Sequence, residues 1–204
     1  MRTRSLGLGS TTLSAGTDMY GYYGKYQGII TPNALITLAG ITEGLTKSDA
    51  NNDPNANITW LKFSHNYKTL FVADRTILHS ISWNHLDSKG LVFGKVVDIG
   101  GQKYLLRLLQ GANVNPASAA GANQSNDEWQ SLIVQFTPDT ADSHWDATDA
   151  VNTSGGGFTY CQETSAFAIA QTRNRGSSTL ANMGQATKSS ALSSLGYRPV
   201  LEVL

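Results

Sequence analysis

The chain has 204 residues, with 15 Lys or Arg against 15 Asp or Glu, so its formal net charge is zero. That balance argues against a general nucleic-acid-binding protein, which needs an excess of clustered basic residues. It also argues against a disordered chain, which combines high net charge with few aromatic residues. The length suits one medium-sized domain, or one domain preceded by an arm.

A single cysteine, Cys161, excludes an intrachain disulfide and a CxxC metal knuckle. No histidine lies near it in the sequence to act as a base, so we expect a buried structural thiol. The first residues lack the apolar region of a signal peptide, and no stretch approaches the roughly 18 apolar residues of a membrane span. We therefore expect a chain that is made in the cytoplasm and does not insert into a membrane.

Residues 1–17 are rich in Gly, Ser and Thr and show no period that would bury one face. They predict an extended N-terminal arm in front of a domain that covers residues 18–204. Alone, such an arm would be mobile. Alternatively, it is an assembly tether that becomes ordered against a partner through its basic and apolar residues, which are Arg2, Arg4, Leu6, Leu8 and Leu13.

Four tyrosines between positions 20 and 26 indicate either the start of a strand, whose rings cover the domain, or a stacking surface for sugars or bases. Residues 32–44 have the apolar spacing of a short helix. Alternation then predicts a strand at 60–65, and residues 69–73 predict a second one. Ser82 has the position of an N-cap, with Gly90 at the end of the helix that follows.

Gly100 and Gly101 predict the turn of a hairpin between residues 95–99 and 103–109. The second strand of that hairpin is almost wholly apolar, so we expect it near the centre of a sheet. Ser125 and Glu128 match a capping box in front of a short amphipathic helix. The C-terminal third is rich in loop-forming residues until an apolar last strand at 196–204, which should pair inside the sheet.

Charge is unevenly distributed within the neutral total. Residues 127–163 contain seven acids and no Lys or Arg, whereas residues 171–195 contain three basic residues and no acid. We expect these two stretches to lie against each other, or each against its opposite on a neighbouring subunit.

The sequence offers few candidate catalytic or metal-binding residues. Its four histidines lack zinc-ligand spacing, and no nucleophile or phosphate-binding motif stands in a suitable context. If their segment is helical, Asp142, Asp146 and Asp149 share one face and could bind calcium. Alternatively, they cap and solvate a short helix. The prediction is that the protein has no cofactor and no metal.

The polar segment 171–194 is a candidate recognition surface, because amides and hydroxyls suit sugars. Alternatively, it is a solvated or subunit-facing loop. Its candidate ligand- or receptor-binding residues are Arg173, Asn174, Arg175, Asn182, Gln185 and Lys188.

Several segments, taken in order, resemble one group of proteins. They are residues 60–63, 70–73, 81–83, 104–111, 126–129, 161–164 and the closing Gly-Tyr-Arg-Pro-Val-Leu-Glu at 196–202. Together they resemble structural proteins of tailed-bacteriophage virions, often labelled tail-fibre proteins. The ending is similar to that of C-type-lectin-like domains in phage tropism determinants and formylglycine-generating enzymes.

The resemblance implies an α+β C-type-lectin-like domain with short antiparallel strands, two short helices and long loops. In that fold the segment before the last strand, here 166–195, often carries the ligand surface. The sugar-binding motifs of calcium lectins are missing. The oxidase activity of formylglycine-generating enzymes needs a pair of cysteines, and this chain has one. Neither activity is therefore expected.

We expect a non-enzymatic virion protein of the tail, baseplate or collar that forms homo-oligomers and takes part in host-surface attachment. Its partners would be other virion proteins and a host-surface glycan or protein, without nucleic acid. The alternative is a capsid decoration or head-fibre protein that binds other virion subunits. A third hypothesis is a cell-wall glycan hydrolase, which would need two facing acidic side chains, for example around Asp142 or Asp146.

Overall fold

The computed structural model describes residues 8–43, 55–112, 114–117, 127–136, 158–176 and 183–204. Within these residues the structure is mostly antiparallel β-sheet with a few short helices, which agrees with the predicted α+β class. Two sheets contain all strands formed by the described residues.

The larger sheet has seven strands in the order β1-β2-β3-β4-β12-β7-β6, and all neighbouring pairs are antiparallel. The C-terminal strand lies between β4 and β7, so the prediction that it pairs inside the sheet is confirmed. The strands are β1 (Ala15–Gly16), β2 (Tyr20–Gln27), β3 (Thr59–His65), β4 (Lys68–Ala73), β6 (Lys95–Ile99), β7 (Gln102–Arg107) and β12 (Val200–Val203).

The smaller sheet has five strands in the order β10-β9-β8-β11-β5. Its pairs are antiparallel except for β11 and β8, which run parallel. The strands are β5 (Leu78–His79), β8 (Phe158–Thr164), β9 (Gln171–Arg175), β10 (Met183–Thr187) and β11 (Leu195–Tyr197).

A side-chain cap fixes the first residue of each α-helix. Helix α1 (Pro32–Ala39) begins after Thr31, whose hydroxyl accepts from the Ala34 N–H. Helix α2 (Trp83–Ser88) begins after Ser82, whose hydroxyl accepts from the His85 N–H. The predictions of these two helices and of the Ser82 cap are therefore confirmed. A third helix, a short π-helix, covers Trp129–Val134.

The large sheet separates two hydrophobic cores. On one face, Trp60, Phe71 and Leu201 pack with the buried residues of both α-helices. On the other face, Phe63 and Val200 pack with the π-helix. Each face is buried because the side chains of successive residues along a strand point to opposite sides.

The segment between β11 and β12 links the two sheets. Arg198, within the Gly-Tyr-Arg-Pro-Val-Leu ending, is fully buried. Its Nη1 donates to the carbonyl oxygens of Ala73 at 2.9 Å and Asp74 at 2.7 Å. The Ala73 N–H donates in return to the Pro199 carbonyl. This arginine therefore fixes the point at which the chain passes from the smaller sheet to the larger one.

Other local predictions are also confirmed. The hairpin β6–β7 turns at Gly100 and Gly101, both with the positive φ that a tight hairpin turn requires. The tyrosine cluster lies on β2, where Tyr22 and Tyr23 are buried, as expected of rings that cover the domain.

Three predictions are wrong. Strand β7 lies next to the edge strand β6 rather than near the centre of the sheet. The described part of the C-terminal third consists largely of strands rather than loops. Glu128 does not complete the predicted capping box, because its carboxylate binds Arg107; Ser125, the other half of that box, lies outside the described residues. The neighbouring Asp127 accepts from the Gln130 N–H at 2.6 Å instead.

We predict that Arg198→Met lowers the free energy of unfolding by roughly 2–4 kcal/mol, because it removes charged hydrogen bonds from buried carbonyl groups. Chemical denaturation measures this change. Lys103→Met, at an exposed position of β7, is the matched control and should change stability by less than about 0.5 kcal/mol. Equal stability of the two variants would contradict the role assigned to Arg198.

Candidate functional site

A network of charged side chains lies at one end of the large sheet, on the face that packs against the π-helix. At its centre, Arg107 of β7 donates to both carboxylate oxygens of Glu128, at 2.7 and 2.6 Å. The same guanidinium donates to Glu202 of β12 at 3.0 and 3.2 Å. All three side chains are buried, so one cation binds two carboxylates that are distant in the sequence.

Two further side chains and one backbone group extend this network. The ammonium group of Lys68 donates to Glu202 Oε1 at 2.6 Å. His65 Nδ1 lies 3.7 Å from Glu128 Oε1. A backbone group, the Gln110 N–H, donates to Glu128 Oε2 at 3.0 Å. Four of these side chains come from adjacent paired strands: His65 from β3, Lys68 from β4, Glu202 from β12 and Arg107 from β7.

The pairing determines the charge of each group. Burial alone would raise the pKa of Glu202, but the Lys68 hydrogen bond and the Arg107 charge outweigh it and lower that pKa. Burial opposes the charge of Arg107, but the two carboxylates outweigh it and raise its pKa. Burial lowers the pKa of His65, against the smaller opposing effect of Glu128. At neutral pH Arg107 and Glu202 are therefore charged, and the His65 imidazole is neutral.

The network forms the wall of an open pocket of about 290 Å³. This polar pocket is lined by the groups just described and by Asn66, Leu70, Phe93, Leu105, Gln110 and Gln162. Phe93 is 54% exposed and packs edge-on against Trp83. The pocket therefore combines fixed charges, amide side chains and one accessible aromatic ring.

The pocket is better suited to binding than to acid–base catalysis. The predicted hydrolase needs one carboxyl that stays protonated near neutral pH as a general acid. Glu128, from the acidic stretch, does face Glu202, but Arg107 binds both of them and the pKa of Glu202 is lowered. Among the described residues, no cluster of three His, Cys, Asp or Glu side chains could hold a metal ion.

A second buried cluster joins the acidic and basic stretches. Asp127 accepts a hydrogen bond at 3.0 Å from Arg175, and both side chains are fully buried. The prediction that these stretches lie against each other is confirmed for this pair. Cys161 is buried nearby, and burial raises the pKa of its thiol well above its usual value. That shift opposes formation of the thiolate, and the predicted burial of this thiol is confirmed.

The candidate recognition residues of segment 171–194 do not form one exposed loop. Arg173, Asn174 and Arg175 are buried on β9, so their placement on an exposed loop is wrong. They are buried because β9 lies between β8 and β10, and the Ala117 carbonyl accepts from Arg173 at 2.9 Å. Gln185 is exposed on β10. Lys188 lies over the ring of Trp83, 4.7 Å from its centroid, and Asn182 lies outside the described residues.

The described part of the predicted arm lies against the domain. Ala15 and Gly16 form β1, which pairs with β2, and the Ser10 carbonyl accepts from buried Lys62 at 2.7 Å. Leu8 is exposed and Leu13 half-buried, whereas Arg2, Arg4 and Leu6 lie outside the described residues. The calcium candidates Asp142, Asp146 and Asp149 also lie outside them.

Sequence reasoning missed the charged network. One signal was available, since Arg107 interrupts the nearly continuous apolar run of residues 104–109. A lone charge in a buried strand requires a paired partner. The identity of that partner depends on strand order, which no local pattern gives.

We predict that Glu163→Gln removes a pH dependence of stability. Burial raises the pKa of Glu163 from 4.5 to about 8. The folded state therefore holds the proton more tightly than the unfolded state, so this contribution is complete below pH 4.5 and is lost as the pH rises to about 8. In the wild type the Gly111 N–H donates to the Glu163 carboxyl, and the amide oxygen of the variant can accept the same hydrogen bond.

Denaturation across that pH range measures the difference between the wild type and the variant. We expect the wild type to lose stability relative to Glu163→Gln as the pH rises. The matched control, Asp87→Asn at an exposed position, should follow the wild type. A constant difference between the wild type and Glu163→Gln would contradict the prediction.

No helix among the described residues is long and apolar enough to span a membrane. Comparisons of the chain with protein-family models, with curated proteins and with solved structures found no match.

Proposed function

We propose that the chain is a non-enzymatic structural protein of a tailed-bacteriophage virion, which assembles as a homo-oligomer and displays a C-type-lectin-like domain for host-surface attachment. The observation that carries this proposal is an assembly surface on the smaller sheet. It consists of the edge strand β10 (Met183–Thr187) and the adjacent turn formed by residues 166–170.

The edge strand carries no charge. None of its five residues is acidic, basic or proline, and Gln185 and Thr187 are exposed. Edge strands that avoid pairing usually carry lysine, proline or a bulge. Strand β10 has regular pairing with β9 and lacks all three devices. Its chemistry therefore favours addition of another strand.

Its register shows which backbone groups point away from β9. The Lys188 N–H donates to the Ala170 carbonyl at 2.8 Å, and this pair continues the β9–β10 register. Bonded and non-bonded pairs alternate along an antiparallel ladder. The N–H and carbonyl of Gln185 therefore point toward the side of β10 on which no described strand pairs, where a second strand would bind.

The adjacent turn is strongly apolar. Phe167 is 70% exposed and Ile169 is 79% exposed, and the other three residues of the turn are alanines. Its base is held in place, because Ser165 Oγ accepts from the Phe167 N–H and the Ala168 carbonyl accepts from the Gln171 N–H. Exposed apolar side chains on a rigid support are typical of a protein-binding surface.

A second copy of the chain is the partner that this surface fits best. Two β10 strands can pair antiparallel across a two-fold axis, and the absence of charge means that no like charges face each other. The apolar turns then lie at opposite ends of the paired strands, each beside the Met183 end of β10 in the other copy. The oligomer would carry one attachment site in each copy, so several weak sites would bind the host surface together.

Further features support the proposed lectin-like fold. The two short α-helices accompany antiparallel sheets, and the Gly-Tyr-Arg-Pro-Val-Leu ending links those sheets through buried Arg198. The described part of the arm, which follows the edge of the large sheet, supplies exposed Leu8 as a contact for another virion subunit.

We predict that Thr187→Lys weakens self-association at least tenfold, because a lysine on an edge strand opposes pairing with another strand. Light scattering coupled to size-exclusion chromatography measures the dissociation. The control is Val96→Lys, on the exposed edge strand β6 of the other sheet, which should leave association unchanged. A wild-type protein that is monomeric at all accessible concentrations would contradict the assembly surface.

Immunogold electron microscopy of intact virions tests the function itself. Gold at the tail tip, baseplate, collar or fibres is the expected result. Gold spread over the head would overturn attachment and favour the decoration-protein alternative. Particles without label would overturn the virion assignment.

A further inference from the structure

The polar pocket beside Arg107 has the size and surroundings of a site for one small polar molecule. Its volume of about 290 Å³ is near the lower end of the range for ligand pockets, roughly 300–1,000 Å³. Strands β3, β4, β7 and β12 supply most of its wall, so its groups stand on a rigid support. Rigid positioning is what a binding site for a small ligand requires.

The charges of the wall select against a charged ligand. Arg107 and Lys68 bind Glu128 and Glu202 at distances of 2.6–3.2 Å. An anion would compete with the carboxylates for these cations, and a cation would compete with the cations for the carboxylates. The Arg107 pairs are buried, so breaking one of them leaves an uncompensated charge, which is strongly unfavourable. The pocket therefore favours a ligand without net charge.

The remaining groups favour a ligand rich in hydroxyls. Carboxylate oxygens can accept further hydrogen bonds, and an ammonium group has three donors. The exposed amide side chains of Asn66 and Gln110 both donate and accept. Phe93 adds an accessible aromatic ring, which can cover the C–H face of a sugar ring. Donors, acceptors and an apolar surface thus occur together, as recognition of a pyranose requires.

We infer that this pocket binds one neutral saccharide unit, with Asn66, Lys68, Gln110 and Glu202 hydrogen-bonding its hydroxyls and Phe93 packing on its ring. The inference names a ligand class for the proposed attachment function. Its biological purpose rests on that function, whereas the binding itself does not. None of the described residues of segment 166–195, where the resemblance places the ligand surface, lines this pocket. It needs no calcium, since the protein's own charges orient the ligand.

Saturation-transfer NMR of the full-length protein tests the pocket with methyl glycosides of glucose, galactose, mannose and N-acetylglucosamine. The charged probes are glucosamine and N-acetylneuraminic acid. We expect at least one neutral glycoside to bind, and we expect it to bind more tightly than either charged probe. Failure of all neutral glycosides to bind would overturn the inference, and so would preference for a charged probe.

Two variants locate the binding. Phe93→Ala should weaken the affinity for the bound glycoside about tenfold, which corresponds to about 1.4 kcal/mol. Phe167→Ala removes an even more exposed ring from the assembly surface and should leave this affinity unchanged. An unchanged affinity in Phe93→Ala, with its fold verified by circular dichroism, would overturn the inference.

The two proposals can fail separately. If virions carry the chain and no neutral glycoside binds, the pocket assignment is wrong and the structural function stands. If a glycoside binds through Phe93 and virions carry no label, the pocket is correct and the virion assignment is wrong.

Discussion

One guanidinium, that of Arg107, holds together the part of the molecule on which the candidate site depends. It binds Glu128, which precedes the π-helix, and Glu202 in the last strand. Removing one partner of such a buried pair costs about 3–5 kcal/mol, because the other charge stays buried. The pocket, the start of the π-helix and the central strand β12 are therefore linked through one side chain.

Other buried cations also connect segments that are distant in the sequence. Arg175 of β9 binds Asp127 beside the π-helix, and Arg198 binds the backbone after β4. Lys62 of β3 binds the backbone near the N-terminus. A chain with only 15% charged residues thus places several of them inside. Because charged hydrogen bonds are directional, these contacts favour one arrangement of the sheets over competing compact ones.

Sequence predicted those elements whose signals are local. The Ser82 cap, the Gly100–Gly101 turn and the alternation of residues 60–65 each act within a few neighbouring residues. Strand β9 was missed because its sequence, Gln-Thr-Arg-Asn-Arg, is polar at every position. Its burial depends on partners such as Asp127, about 48 residues away in the chain. Likewise, the local sequence favours Glu128 as part of a helix cap, but its carboxylate binds Arg107, because a two-point charged contact is stronger. The pocket required strand order, which no single segment encodes.

The two proposed surfaces lie on different sheets, and this separation bears on how the protein would work. The polar pocket is built mainly on the large sheet, whereas the assembly surface belongs to the open edge of the smaller one. Association through β10 would therefore leave the pocket accessible in every copy. A pocket for a single saccharide unit makes few contacts, so each copy alone would bind weakly. Several pockets held in one assembly convert weak single binding into firm attachment to a surface that repeats the same sugar, provided that the spacing allows simultaneous contact.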